Sequence, residues 1–312
     1  MSESSESSVS SVPAESPRII ALVANPSAGG GRAARVLPSV QEALRELDPT
    51  LTVELTRGIE HAEDLARAAV EAGRVVAALG GDGLIGRVAG AVADADGLLA
   101  PLPGGRGNDF CRGLGMSLEA AAAARSLASA VERRIDIAEC GGIPYLGIAS
   151  LGFDSDVQVI ANKARWVRGS QVYTYAALRA LLAWRPATFT VEIYGPADET
   201  STRQITGWAV AAANNRYYGG GMALAPDASV EDGLLDVVLT SRTSKLRFLS
   251  SLPKVFSGKH IEDPSVEVLR ARSISVDADR PFQVYADGDP IADLPATIRV
   301  RAGALRVLAP PR

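Results

Sequence analysis

The sequence predicts an α/β unit built on a parallel sheet, followed by a mainly antiparallel, β-rich unit. Three observations predict it. Short apolar runs in the first half alternate with stretches carrying apolar residues at helical spacing, the pattern of strands joined by crossover helices. Three of those runs stop abruptly in glycine-rich loops. After about Arg134 the texture changes to short β-type runs separated by turn residues.

The elements follow in order. Residues 1–17 (MSESSESSVSSVPAESP) are rich in Ser, Glu and Pro and nearly free of large apolar side chains, so they are read as a disordered tail. Order begins near Arg18. Ile19 to Ala24 is a buried-strand run that ends in Asn25-Pro26-Ser27-Ala28-Gly29-Gly30-Gly31-Arg32. Leu37, Val40, Leu44 and Leu47 place a helix over 36–47. Leu51 to Leu55 reads as a strand, His61 to Ala72 as a helix, and Val75 to Leu79 as a strand stopping at Gly80-Gly81-Asp82-Gly83. A helical pattern and another apolar run lead to Pro103-Gly104-Gly105-Arg106-Gly107-Asn108-Asp109. Ligands bind at the carboxyl ends of strands in such sheets, so all three loops are expected at one edge.

In the second part, β-type runs recur at Tyr145–Leu151, Phe189–Tyr194, Trp208–Ala213, Leu234–Leu239, Ile274–Val276, Phe282–Ala286, Ile298–Val300 and Leu305–Leu308. One helical segment, about Ser170 to Trp184, interrupts them. The boundary is expected between Ile135 and Pro144, giving domains over 18–138 and 139–312.

Composition narrows the function. The 312 residues are enough for two domains, and 47% hydrophobic content supports a sizeable core. A net charge of −4 gives no reason to expect nucleic-acid binding. Cys111 and Cys140 are the only cysteines and His61 and His260 the only histidines, which argues against a disulfide framework and a Cys/His metal site and fits a reducing cytoplasm. Neither a signal-peptide pattern nor an apolar stretch of ~20 residues occurs, so any membrane contact is expected to be peripheral.

The glycine loops carry the chemistry. Glycine lets backbone amides approach an anion closely, and a helix N-terminus adds partial positive charge. With Asp82 in the second loop, the pattern points to a magnesium nucleotide or a polar sugar edge, hence to phosphoryl transfer. Each motif also has a plainer reading. Gly80 to Gly86 can be a tight strand-to-helix turn, Asn108 and Asp109 can cap a helix, and Thr56 can be an ordinary strand-end threonine. Asp287-Gly288-Asp289-Pro290 reads by itself as a hairpin turn, and Glu231-Asp232-Gly233 as a turn entering a strand. Cys111 is read as a small buried residue. Between Lys163 and Phe189, Trp166, Tyr173, Tyr175 and Trp184 mix with Arg165, Arg168, Arg179 and Arg185. That mixture suits either a membrane interface or a helix with a solvated basic face.

In this order, NPSAGGGR, LGGDG, PGGRGNDF, NNRYYGGGMALAPDA, EDGLLDVV and YADGDP resemble the diacylglycerol kinase catalytic-domain family, which includes bacterial lipid kinases and is related to sphingosine and ceramide kinases. The likeness covers roughly Arg18 to Pro310. It implies a Rossmann-like α/β nucleotide domain of the NAD kinase and diacylglycerol kinase type, a C-terminal antiparallel β-sandwich domain, and a cleft between them. It also implies a last strand that can return to the first domain. The resemblance assigns ATP contacts to Asn25, Pro26, Ser27, Gly29, Gly30, Arg32, Thr56, Gly80, Gly81, Asp82, Gly83, Leu84, Gly105, Arg106, Asn108 and Asp109. Arg35 would face a phosphate or lipid head group. Asp287 falls on the general base, and Asp232 with the carbonyls of Ser229 and Leu234 on a Mg2+ set away from the transferred phosphate.

The chain departs from the family at four places. Leu84 stands where a hydroxyl residue is usual, Arg87 where an acid is common, Arg106 in place of Thr or Ser, and Asp289 in place of Glu. Arg106 can compensate by pairing with a phosphate. The implied protein is a peripheral lipid kinase at the inner membrane face. Two alternatives are a kinase for a soluble hydroxyl compound such as NAD and a non-catalytic nucleotide- or lipid-binding protein. The choice of lipid and the oligomeric state, a homodimer included, stay open.

Overall fold

The computed structural model describes residues 18–163, 176 and 179–312. The expected tail and most of the expected helix over Ser170–Trp184 lie outside the described residues.

The first half is the anticipated α/β layer. Strands β1 (Ile20–Ala24), β2 (Thr52–Leu55), β3 (Val75–Gly80) and β4 (Leu98–Pro103) alternate with helices α1 (Ala28–Leu47), α2 (Ile59–Glu71) and α3 (Asp82–Asp94). The strands run parallel in the order β2-β1-β3-β4. β1 and β3 are buried along their full length, as expected for parallel strands with both faces covered. Helix α1 is regular only beyond its three glycines. Gly29, Gly30 and Gly31 have φ of 62°, 68° and 84°, so the residues after β1 form a left-handed loop before the helix. Two short helices, α4 (Asp109–Gly113) and α5 (Ala120–Ser126), close this half.

The second half is antiparallel. It contains β5 (Val131–Cys140), β6 (Ile143–Tyr145), β7 (Ile148–Gly152), β8 (Ala187–Tyr194), β9 (Thr200–Ala213), β10 (Leu235–Ser241), β11 (Val266–Ala271), β12 (Ser273–Ala278), β13 (Gln283–Ala286), β14 (Asp289–Asp293) and β15 (Ala296–Ala309). The main path of the mixed sheet runs β14-β13-β7-β9-β8-β12-β15-β4-β3-β1-β2. β15 is the hinge of this arrangement. Its first residues pair antiparallel with β12, and near its end Arg306 and Val307 lie parallel to Leu98 and Leu99 of β4. β5 pairs antiparallel with β15 along most of its length.

Two large apolar cores flank this junction. Ile135, Ile137, Leu305 and Val307 pack into the α/β core. Ala138, Cys140, Ala296 and Ile298 pack into the β-rich core, beside Trp184, Trp208 and Phe282. Thus β5 and β15 each pass from one core to the other.

Several expected elements change shape. The run Tyr145–Leu151 divides into β6 and β7 at a bend over Leu146-Gly147, where the Gly147 carbonyl accepts the N–H groups of Asn214 and Asn215. Ile298–Val300 and Leu305–Leu308 are one strand, β15, with a register shift against β5 between Arg301 and Leu305. Helices α6 (Phe153–Lys163) and α7 (Lys245–Val255) occur where only strands and turns were read. No helix of the described residues is long and apolar enough to cross a membrane.

Candidate active site

All three glycine loops sit at the carboxyl edge of β1, β3 and β4, and their backbones touch. The Gly104 N–H donates to the Gly80 carbonyl at 2.7 Å. A Cβ on Gly105 would lie 2.5 Å from Gly81 Cα, and one on Gly29 would lie 2.8 Å from the Gly104 oxygen. Side chains are therefore excluded by close approach, and at Gly29 the positive φ excludes them as well. Asn25 anchors the first loop, donating its N–H to Leu79 and accepting the Ser27 N–H at Oδ1. Pro26 lies between them, and Ser27 is exposed.

The arginines divide in role. Arg32 donates to the carbonyls of Gly105 and Leu118, so it fastens the first loop to the third. Arg35 is exposed beside Gly31. Arg106 is exposed, and its guanidinium reaches over the first loop, 3.4 Å from where a Cβ on Gly30 would stand. Thr56 receives its place from β2, its N–H donating to Ala24. Its Oγ1 is buried without a hydrogen-bond partner. A buried hydroxyl left unsatisfied at this edge fits a nucleotide, as do the glycine-lined contacts. Leu84 instead turns inward at 5% exposure, its side chain filling the space over Gly80. Arg87 pairs with Glu63 at 2.6 Å.

Asn108 and Asp109 are structural members as well as edge residues. Asn108, at φ 53°, accepts the Gly105 N–H at 2.8 Å and returns a bond to its carbonyl, which fixes the turn around Arg106. Asp109 accepts the Gly220 N–H at 2.7 Å. Asn215 donates to the Asp109 carbonyl at 3.0 Å, and Asn214 donates to the carbonyls of Asp136 and Leu146. These asparagines join the NNRYYGGG segment to the first half. Sequence reading noted the motif without giving either residue a role.

The turn between β13 and β14 comes against the start of α3. Asp287 has φ 51° and its Oδ2 accepts the Leu146 N–H at 3.2 Å. A Cβ on Gly86 would lie 3.2 Å from Asp287 Oδ2, and one on Gly147 only 2.2 Å from Oδ1. Gly83 is similarly close to Asp289. Asp82 accepts the Phe110 N–H at 3.0 Å. Loss of solvation, followed by the charge on Asp82, pushes the Asp287 carboxyl up to about 7. Burial also raises Asp82, and the Asp109 charge adds to it. The site thus gathers carboxylates from both halves beside a glycine-lined edge.

The Asp232 corner is different. Asp232 accepts the Leu234 N–H at Oδ1, and Arg270 holds Oδ2. Ser229 Oγ accepts the Glu231 N–H. Both Asp232 carboxylate oxygens are thus engaged, one by a backbone N–H and one by a guanidinium. Among the described residues, no three Asp, Glu, His or Cys side chains are grouped to hold a metal.

Comparison with known proteins matches both halves. Residues 20–140 match the diacylglycerol kinase catalytic domain, and residues 147–309 match the YegS C-terminal NAD kinase beta sandwich-like domain. A diacylglycerol kinase of Mycobacterium tuberculosis is 33% identical over 93% of this chain and 95% of that protein. A probable YegS-like lipid kinase of Pseudomonas fluorescens Pf-5 is 33% identical over 86% of this chain and 89% of that protein. The crystal structure of a diacylglycerol kinase from Bacillus anthracis shares the fold, with TM-score 0.72 and 20% identity over 94% of this chain and 97% of that one. The fold is therefore an N-terminal α/β domain with a C-terminal β-sandwich.

Proposed function

The chain belongs to the diacylglycerol kinase family of lipid kinases, and on that premise we propose that it moves the γ-phosphoryl group of ATP onto the hydroxyl of a diacylglycerol-like lipid. The observation that carries the reading is the position of Asp287. It is a partly buried carboxyl with no cation paired to it among the described residues, held by a backbone N–H opposite the glycine loops.

A carboxyl raised to about 7 is close to half ionised near neutral pH, where a general base works best. In the proposed step the lipid oxygen bonds to the γ-phosphorus as the bond to the ADP oxygen breaks. The hydroxyl proton passes to Asp287 Oδ1 or Oδ2. The loops after β1, β3 and β4 would hold the phosphates by backbone N–H groups, with Arg106 offsetting charge on the transferred group. Thr56 Oγ1 would find its missing partner on the nucleotide. Arg32, engaged with Gly105 and Leu118, supports the loops rather than the phosphate. Magnesium, in this reading, enters on the nucleotide phosphates and supplies further charge neutralisation. The enzyme would act from the cytoplasm at the inner membrane face.

The test is transfer of labelled γ-phosphate from ATP-Mg2+ to a panel of lipid hydroxyls in mixed micelles, with NAD as a soluble acceptor. Labelled lipid from the wild type, lost in Asp287→Asn, is the expected result. Nucleotide binding without transfer to any acceptor would overturn it in favour of a binding protein, and labelled NAD alone in favour of a soluble substrate.

A further inference from the structure

We propose that the outer face of α7, with Leu182 beside it, is the surface that docks this protein on an anionic bilayer, an inference that rests on the lipid-kinase reading and deepens it. Helix α7 carries two apolar stripes. Phe248 and Val255 are buried, and Phe248 stacks on Trp208 with ring centroids 3.9 Å apart. Leu246, Leu249, Pro253 and Phe256 follow the i, i+3, i+7, i+10 spacing of a second face, and all four are exposed. A helix that packs on a core needs one apolar stripe, so the second is left unexplained by folding. Leu246 and Phe256 are 81% and 62% exposed, and Leu182 is 82% exposed. The Lys245 ammonium donates to the Leu182 carbonyl at 3.0 Å, which brings the two segments into one patch.

Charge identifies the occupant. The stretch 242–259 holds five basic residues and no acidic one, in a chain whose net charge is −4. Arg247 is paired with Asp263, whereas Arg242, Lys245 and Lys254 have no acidic partner among the described residues. A second copy docked face to face would set these cations against each other. An anionic lipid surface complements them, while leucine and phenylalanine enter the interfacial zone. The geometry also links the patch to the site. The Ala223 N–H donates to the Val255 carbonyl, and the same segment reaches back to Gly220, whose N–H holds Asp109. Docking α7 would therefore set the Gly219–Met222 loop beside the membrane, where a lipid acceptor is available.

The experiment is sedimentation of the full chain with phosphatidylcholine vesicles, with and without phosphatidylglycerol, in the absence of ATP and of any acceptor lipid. This readout is independent of phosphoryl transfer, so failure of docking and failure of the kinase assignment are distinguishable. We expect binding to the anionic vesicles alone, weakened by added salt and reduced about tenfold or more in the Leu246→Glu/Phe256→Glu variant. Ile19→Glu, at an exposed apolar residue elsewhere, should bind as the wild type does. The wild-type salt series decides the matter if the double variant fails to fold. Equal binding to both vesicle types, or wild-type binding by a folded double variant, would overturn the proposal. So would a wild-type dimer in light scattering that the double variant converts to monomer.

Discussion

Two acid–glycine turns in this molecule start from the same local chemistry and end in opposite electrostatic states. Asp287-Gly288 and Asp232-Gly233 both enter or leave a strand through a glycine of positive φ, 95° and 72° respectively. Asp232 is exposed, and its carboxylate is matched by Arg270 across the turn. Asp287 is drawn under the start of α3, meets a backbone N–H rather than a guanidinium, and faces the negative charge of Asp82. Turn chemistry alone therefore does not distinguish a desolvated carboxyl without a paired cation from an ion-paired one. The neighbours brought by other elements do, through solvation and charge.

The largest effect should come from removing the unpaired carboxyl. Asp287→Asn should lower phosphoryl transfer by about 10²–10⁴-fold while nucleotide binding, measured by calorimetry, persists. The same variant should change the pH dependence of stability. The folded state keeps a proton on Asp287 that the unfolded chain releases, from about pH 4 up to about 7. Stability contributed by this group thus falls as pH rises through that window, and melting curves of Asp287→Asn should lack that part of the slope.

Next in size is displacement of the carboxyl without loss of its charge. In Gly147→Ala the new methyl would stand 2.2 Å from Asp287 Oδ1, so the side chain must move. A shift of this order should cost about 10²-fold in kcat. Wild-type kinetics in that variant would detach Asp287 from the chemistry. Asn215→Ala should act on the joint between the halves, leaving the Asp109 carbonyl without its donor and costing about 1–3 kcal/mol in denaturant unfolding. At the Asp232 turn the effect should be smallest. Arg270→Ala removes a half-exposed ion pair and should cost under about 1 kcal/mol. Magnesium without nucleotide should leave the wild-type melting temperature unchanged. A magnesium-dependent rise that Asp232→Asn abolishes would erase the contrast between the two turns.

The first half was legible because buried parallel strands write continuous apolar runs, as in Ile20–Ala24 and Val75–Gly80, each followed by glycines that cannot be replaced. The second half was legible where at least one face of a strand is apolar and buried, as in the alternating burial of Phe189–Tyr194. β9 was seen at Trp208–Ala213 and missed over Thr200–Ile205, where polar residues face water. β11 and β14 were missed for the same reason. Helix α7 was hidden by Pro253 and by its second apolar stripe, which blurs the helical period. In the site, the family motifs marked Asp287, while the groups that set its environment left no signal. Leu146 and Gly147 act through backbone atoms and lack of side chain, and Asn214 and Asn215 bond to distant carbonyls. Leu84 shows the converse. Its position in the loop suggested a ligand contact, and its apolar side chain fills the space over Gly80.

The central claim is that Asp287 is the base, and the pH dependence of kcat/KM for transfer to a lipid hydroxyl tests it most directly. The account predicts an acid limb with a midpoint near 7 in the wild type, falling about tenfold per pH unit below it, and no such limb in the residual activity of Asp287→Asn. An unchanged limb in Asp287→Asn, or transfer by that variant at the wild-type rate, would contradict it.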